Sequence, residues 1–384
     1  MAGTIRCISK FNINILNKLV KQQLIYNGSR TLYDEASLGL DNYKSTRNIV
    51  MEKYKIGLDS FKSKMQESIA DEKAMIFTED LKSTLHLVEK DDIQLLVSML
   101  EKYNSQNSQV RFGTFKFGPV VMRTLYYLNE PEIALDLFLN PKYDEFFNQM
   151  STFMLIMDLL YENKRYADLR TAYDKIKQKF VNGISHPKLV INIVAVACYK
   201  ENTQESLEYG LNICKDLDHR GSIPLRKVIA ALGALALNLK SPEVTLELVA
   251  LSRTVDYISI RCIRIMALAD LGRIDEIVIV LKSCIQRGIP EKNGFYTDVI
   301  PRIQEAMKRL KIDEDHEICN LIKVLQSQGY VTPLTLDEHL TQKIKTQPKD
   351  NEPSSRRYQS SSWSESSSEV NYYERQNRQG NTSF

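Results

Sequence analysis

STFMLIMDLLYENKRYADLRTAYDKI, residues 151–176, joins two segments of different hydrophobic character through a polar break. Phe153 to Tyr161 is apolar except for Asp158, and Glu162 to Arg165 is polar. Tyr166, Leu169, Ala172, Tyr173 and Ile176 then recur at the three- and four-residue spacing of one helix face. The stretch predicts a helical hairpin whose first helix is apolar nearly all round and whose second carries a single stripe. A helix apolar on every side needs cover on more than one. A lone hairpin cannot supply that cover, whereas hairpins before and after it can.

The rest of the chain repeats the pattern. Polar breaks centred on Lys90 (VEKDD), Asn129 (LNEPE), Lys164 (ENKRY), Asn202 (KENTQ), Lys240 (LKSPE) and Gly272 (LGRID) are spaced by 39, 35, 38, 38 and 32 residues. A period in the mid-thirties marks a solenoid of helical hairpins. LVINIVAVACY (189–199), with Asn192 its one polar residue, and VIAALGALAL (228–237), with none, are further apolar first helices. Pro131 and Pro242 fall where a helix has just begun, a position at which a missing N–H costs nothing. Gly272 suits a left-handed helix end, and Asp275 and Glu276 suit the dipole of the helix that follows.

These signals predict an all-α, αα-hairpin solenoid. Residues 45–76 read as lead helices, 77–290 as about six hairpin repeats, 291–345 as a helical C-terminal cap and 346–384 as a disordered Ser-rich tail holding the only tryptophan, Trp363. Within the cap, 294–310, 314–329 and 335–344 read as closing helices. The first thirty residues carry Arg6, Lys10, Lys18, Lys21 and Arg30 among apolar residues and no acid, the profile of a mitochondrial transit segment, which we place over 1–44.

Composition narrows the function. With 384 residues, 43% hydrophobic and 26% charged, the chain can build a sizeable core. A net charge of +3 permits a nucleic-acid partner without requiring one. The six cysteines form no C-x-x-C pair, and Cys198, Cys214, Cys262 and Cys284 fall on apolar helix faces as small buried hydrophobes. No run reaches the roughly 18 apolar residues of a membrane span. Phosphate-loop, dinucleotide, zinc-protease and hydrolase-elbow motifs are absent, and the five histidines lie far apart. The acidic run Asp313, Glu314, Asp315, Glu317 reads as a helix start rather than a metal site. The expectation is a non-enzyme without cofactor or metal. Lys116, Arg123, Lys188, Arg226, Lys227, Arg261 and Arg264 fall on first helices and are the candidate contacts to an RNA backbone, with Arg261 and Arg264 sharing a face.

Thr152–Phe153, Lys164–Arg165, Leu169 and Ile176 match a repeat consensus, and LGRIDE (271–276) matches its turn more closely. FGTFKFGPV (112–120), ACYKENTQESL (197–207) and ALALN (234–238) strengthen the match. On these residues the chain resembles the pentatricopeptide repeat family over roughly 75–330. The resemblance implies a right-handed superhelix and a mitochondrial matrix location. It also implies a role in RNA maturation on which respiratory-chain function depends, with single-stranded mitochondrial RNA and other RNA-processing proteins as partners. The family reads one base per repeat through polar residues near the start of each first helix. Here those positions are Leu81, Val120, Leu155, Ile193, Ala231 and Ile263, all apolar. Recognition of the backbone or shape, or a protein-scaffold role for the same groove, fits such residues better.

Overall fold

The polar breaks are helix-ending turns. Asn129, Lys164, Asn202, Lys240 and Gly272 all take positive φ, from 54° to 75°. At four of them the next residue's N–H reaches back over the turn: Glu130 to the Leu125 carbonyl, Arg165 to Leu160, Ser241 to Ala236 and Arg273 to Leu268, each 2.9 Å. This Schellman arrangement satisfies carbonyls that a helix end would leave orphaned and reverses the chain in two or three residues. The break at Lys90 differs, passing through a 3₁₀ turn, Lys90–Asp92, closed by a reciprocal cap between Glu89 and Asp92.

The computed structural model describes residues 32–106, 115–179, 186–253, 256–289, 294–313 and 315–344. The chain opens with α1 (Glu35–Leu38), α2 (Leu40–Tyr54) and α3 (Leu58–Ala70). Six hairpins follow: α4 (Thr78–Leu87) with α5 (Ile93–Ser105), α6 (Phe117–Leu128) with α7 (Pro131–Leu139), and α8 (Met150–Glu162) with α9 (Tyr166–Lys179). Then come α10 (Lys188–Glu201) with α11 (Gln204–His219), α12 (Arg226–Asn238) with α13 (Pro242–Ala250), and α14 (Ile258–Asp270) with α15 (Ile274–Arg287). The even-numbered member of each pair is its first helix. The C-terminal part holds β1 (Phe295–Tyr296), α16 (Val299–Leu310), α17 (Glu317–Ser327), β2 (Val331–Thr332) and α18 (Leu336–Leu340). The fold is thus an all-α array of helical hairpins. Among the described residues no helix is long and apolar enough to cross a membrane.

Two compact units share the chain, which passes from one to the other within α8. In the unit built from Tyr33–Ile156, α2 packs on α4 and α6, and α3 on α5. The Tyr43 hydroxyl donates to the Leu85 carbonyl at 2.8 Å, and buried Arg47 donates to the His86 carbonyl at 2.9 Å. Phe117, Phe146, Phe147, Phe138 and Phe153 form a chain of aromatic contacts with centroids 5.3–6.4 Å apart. Gly118 lets α6 approach closely: a Cβ there would meet the Phe146 carbonyl oxygen at 2.3 Å.

In the unit built from Leu32 and Met157–Ile344, α10 packs on α12, α12 on α14 and α14 on α16. Phe153 to Ile156 are buried in the other unit's part of α8, and Met157 to Tyr161 in this unit's part, Asp158 included. Its carboxylate accepts the buried Leu32 N–H at 3.1 Å, which accounts for the one polar residue in the greasy run. Cys198, Cys214, Cys262 and Cys284 are buried, and burial pushes the Cys198 and Cys262 thiols up to about 12.

Within the span expected as a transit segment, 1–44, Leu32, Tyr33, Leu38, Leu40 and Tyr43 are at most 4% exposed. Residues 1–31 and the expected tail lie outside the described residues. Two expected helix bounds change. The helix read over 294–310 begins only at Val299, because Phe295 and Tyr296 pair in parallel with Val331 and Thr332. The helix read over 335–344 stops at Leu340, and the chain passes through a turn and a bend before the Ile344 N–H reaches the Leu32 carbonyl at 2.7 Å.

Candidate nucleic-acid interface

A helix exposes unpaired N–H groups at its start and unpaired carbonyls at its end, and side-chain choice there reveals what is expected nearby. Five of the six second helices follow the dipole rule; α5 has no acid in its first turn. Glu132, Asp168, Glu205, Glu243, and Asp275 with Glu276 stand in the first turns of α7, α9, α11, α13 and α15. The first helices α6, α10, α12 and α14 do the opposite. None has an acid in its first turn or a side-chain N-cap. Instead Lys116 is the N-cap residue of α6, Lys188 opens α10, and Arg226 and Lys227 open α12. Bases at the positive end of a helix dipole repel it, while an anion placed there satisfies both dipole and bases.

The seven sequence candidates fall into two groups. Arg261 is 3% exposed. Its guanidinium donates to the Asp256 carbonyl and, at 3.4 Å, to the Gly294 carbonyl, and lies 5.5 Å from the Phe295 ring centroid. It pins β1 against α14 and offers nothing to solvent, so the face expected to be shared by Arg261 and Arg264 is not a paired basic surface. Arg123, half-buried in the other unit, donates to the Leu38 carbonyl at 3.0 Å and packs against Gly39. Lys116, Lys188 and Arg226 are exposed and Arg264 half-buried, and among the described residues none of these four has a carboxylate partner. Some bases elsewhere in the array are paired: Arg170 bridges Glu201 and Glu205, and Arg302 clamps Asp270 through contacts of 2.9 and 2.5 Å.

Around the start of α12 the structure gathers groups that spacing alone did not. Arg226 lies 4.0 Å from the centroid of the exposed Tyr257 ring, a cation–π contact. Lys227 donates to the Gln342 carbonyl at 3.2 Å, and burial lowers its ammonium to about 8. The folded state therefore disfavours this charge below about 8, and stability rises as pH climbs from there toward the ordinary lysine value. His339, 5.1 Å from the Tyr296 ring, is held below its usual value by burial and by the charges of Lys227 and Arg226. The legible signal was the missing acid and cap at the starts of α6, α10, α12 and α14; the contribution of residues 339–342 is a long-range effect.

Two other features have internal explanations. A cleft of about 700 Å³ is lined by Asn238, Asp270, Asp298, Arg302, Glu305 and Arg309, but its arginines are engaged, Arg309 with the Ala269 and Asp270 carbonyls at 2.8 and 2.7 Å. Tyr173, His186 and Asp216 form a relay with contacts of 2.7 and 2.6 Å. Tyr173 is fully buried and burial raises its hydroxyl, so the relay ties the segment before α10 to α11 rather than presenting a nucleophile. Among the described residues no three metal-ligating side chains converge.

The base-reading positions complete the picture. Leu81, Leu155, Ile193, Ala231 and Ile263 are fully buried and Val120 is 7% exposed, so all six belong to the core. Against known proteins, a sequence alignment spans most of both chains. The chain is similar to mitochondrial pentatricopeptide repeat-containing protein 2. The Mus musculus protein of that name is 25% identical over 299 residues, 73% of this chain and 77% of the relative. The Danio rerio protein is 26% identical over 272 residues, 69% and 70% of the two chains. The Homo sapiens protein is 23% identical over 342 residues, 82% and 85%. No family model matches the chain.

Proposed function

We propose that this chain is a non-catalytic RNA-binding helical-repeat protein of the mitochondrial matrix, acting in mitochondrial RNA maturation and so in respiratory-chain function. Mitochondrial location and repeat type are supported by the shared name of its relatives. The observation that carries the RNA reading is the run of uncapped, acid-free first-helix starts bearing Lys188, Arg226 and Lys227, with Lys116 in the equivalent place in the other unit. Phosphates are the anions such starts accept. Exposed Tyr257 beside Arg226 adds a ring on which an unpaired base can stack. With the six code positions buried, the grip is on backbone and shape rather than on one base per repeat.

The test is binding of a fluorescent single-stranded RNA by the purified protein across a salt series. Four phosphate contacts give a log–log slope of about −3. Binding that is insensitive both to salt and to the double change Arg226→Glu and Arg264→Glu overturns the reading. One observation favours a second reading, a scaffold for other RNA-processing proteins: residues 335–344 of the chain itself lie across first helices as a peptide would. Protein partners retained after RNase treatment would support it.

A further inference from the structure

The segment after β2 crosses the first helices of its unit. It starts at the β1–β2 pair, where the Thr297 N–H donates to the Leu334 carbonyl at 3.1 Å. Thr335 and Glu338 close a reciprocal cap around the start of α18, and the Leu336 N–H donates to Asp298 at 3.0 Å. Asp337 then pairs with Lys200 of α10 at 2.6 Å, and Gln342 accepts from Lys227 of α12. Leu336 and Leu340 turn inward at 5% and 0% exposure. Finally Ile344 bonds Leu32, whose own N–H is held by Asp158 of α8. One peptide thus makes contact, in chain order, with Asp298 before α16, with Lys200 of α10, with Lys227 of α12 and with Leu32.

Two first-helix cations, Lys200 and Lys227, are held by this peptide. The Gln342 carbonyl on Lys227 occupies a position at the start of α12 that a phosphate oxygen would take, while the Asp337 carboxylate anchors the peptide at the end of α10. The polar part of the attachment is light: the helical part has five residues, too few to persist alone, and a partly exposed ion pair contributes little. Leu336 and Leu340 supply the apolar hold, and α10 and α12 beneath also pack directly on each other.

We propose that residues 335–344 are a built-in competitor: a strap that occupies the first-helix face of this unit and must lift for RNA to engage Lys227 at the start of α12. The proposal rests on the RNA reading and adds its regulation. The bound form draws on the fraction of molecules with the strap open, so weakening the strap raises apparent affinity by the inverse of that fraction.

The experiment uses the full chain carrying Leu340→Ser or, separately, Asp337→Asn, neither of which removes a base. Hydrogen exchange reports the strap, and anisotropy with a 20-nucleotide oligouridine reports binding. Faster exchange confined to 335–344, with affinity rising about tenfold for Leu340→Ser and less for Asp337→Asn, is the expected result. In the wild-type protein, saturating RNA should speed exchange in the strap. A strap that opens in both variants while affinity stays level or falls overturns the competitor, as does a strap more protected when RNA is bound. If Leu340→Ser also loosens α10 and α12, the Asp337→Asn and wild-type measurements decide. If RNA binds neither the wild type nor the opened variants at low salt, the RNA reading falls and the competitor with it. If RNA binds both equally well, only the competitor falls.

Discussion

In four of the six hairpins, those opened by α6, α10, α12 and α14, the two edges are built on opposite plans. At the tight-turn edge, left-handed residues reverse the chain, acids open the second helices, and ion pairs such as Arg170 with Glu201 and Glu205 cross between elements. At the open edge the first helices of four hairpins begin uncapped, without acids, and with unpaired bases on three of them. One edge carries ion pairs between elements, and the other carries bases at helix starts whose dipole favours an anion. On the proposed RNA reading, folding and recognition are separated without separate domains, since the same helix closes a turn at one end and would meet a ligand at the other.

Four changes probe that division. The largest effect belongs to the turn edge. Arg170→Ala strands the partly buried Glu201 carboxylate, already raised by burial, and should cost about 2–3 kcal/mol in denaturant unfolding. RNA affinity, measured well below the transition, should hardly change. The converse holds at the open edge. Lys188→Glu with Arg226→Glu should leave stability within about 0.5 kcal/mol, as for exposed positions generally. The same pair should lower RNA affinity by at least about tenfold at low salt. A stability loss comparable to that of Arg170→Ala would erase the distinction between the edges. Lys240→Gly relieves a side chain forced to φ 59° and should raise stability by about 0.5–1 kcal/mol, seen as a higher melting temperature. The smallest effect is a pH dependence. Lys227 loses its charge as pH rises through about 8, so affinity should fall about two- to threefold between pH 7 and 9. Lys227→Arg should flatten that profile, and an unchanged profile would remove Lys227 from the interface.

Much of the fold was legible because each repeat has to reverse within a few residues. Asn129, Lys164, Asn202, Lys240 and Gly272 were the centres of polar breaks in the sequence, and each is a left-handed residue in the structure. The first break, at Lys90, reverses by a 3₁₀ turn instead, and it lies at the longest spacing in the series. The apolar first helices were legible for the same local reason. The roles of single bases were not. Arg261 and Arg264 are three residues apart on one helix, and nothing in that spacing reveals that β1 inserts against Arg261 alone. Nor could TLDEHLTQKI disclose that it crosses α12, because its pattern is that of any short amphipathic helix and its partners lie more than 100 residues away.

The bond from Ile344 to Leu32, and from Leu32 to Asp158, bears on how this unit comes apart. Helical repeats that touch only their neighbours melt from the ends inward, one unit at a time, as a linear chain of coupled elements. Here the last described residue and the helix where the unit begins are fastened to the same short segment. Neither end is free to fray while that fastening holds. Unfolding of the unit should then be a single cooperative event, and cutting the chain between Thr335 and Ile344 should turn it into stepwise peeling from α17 backward.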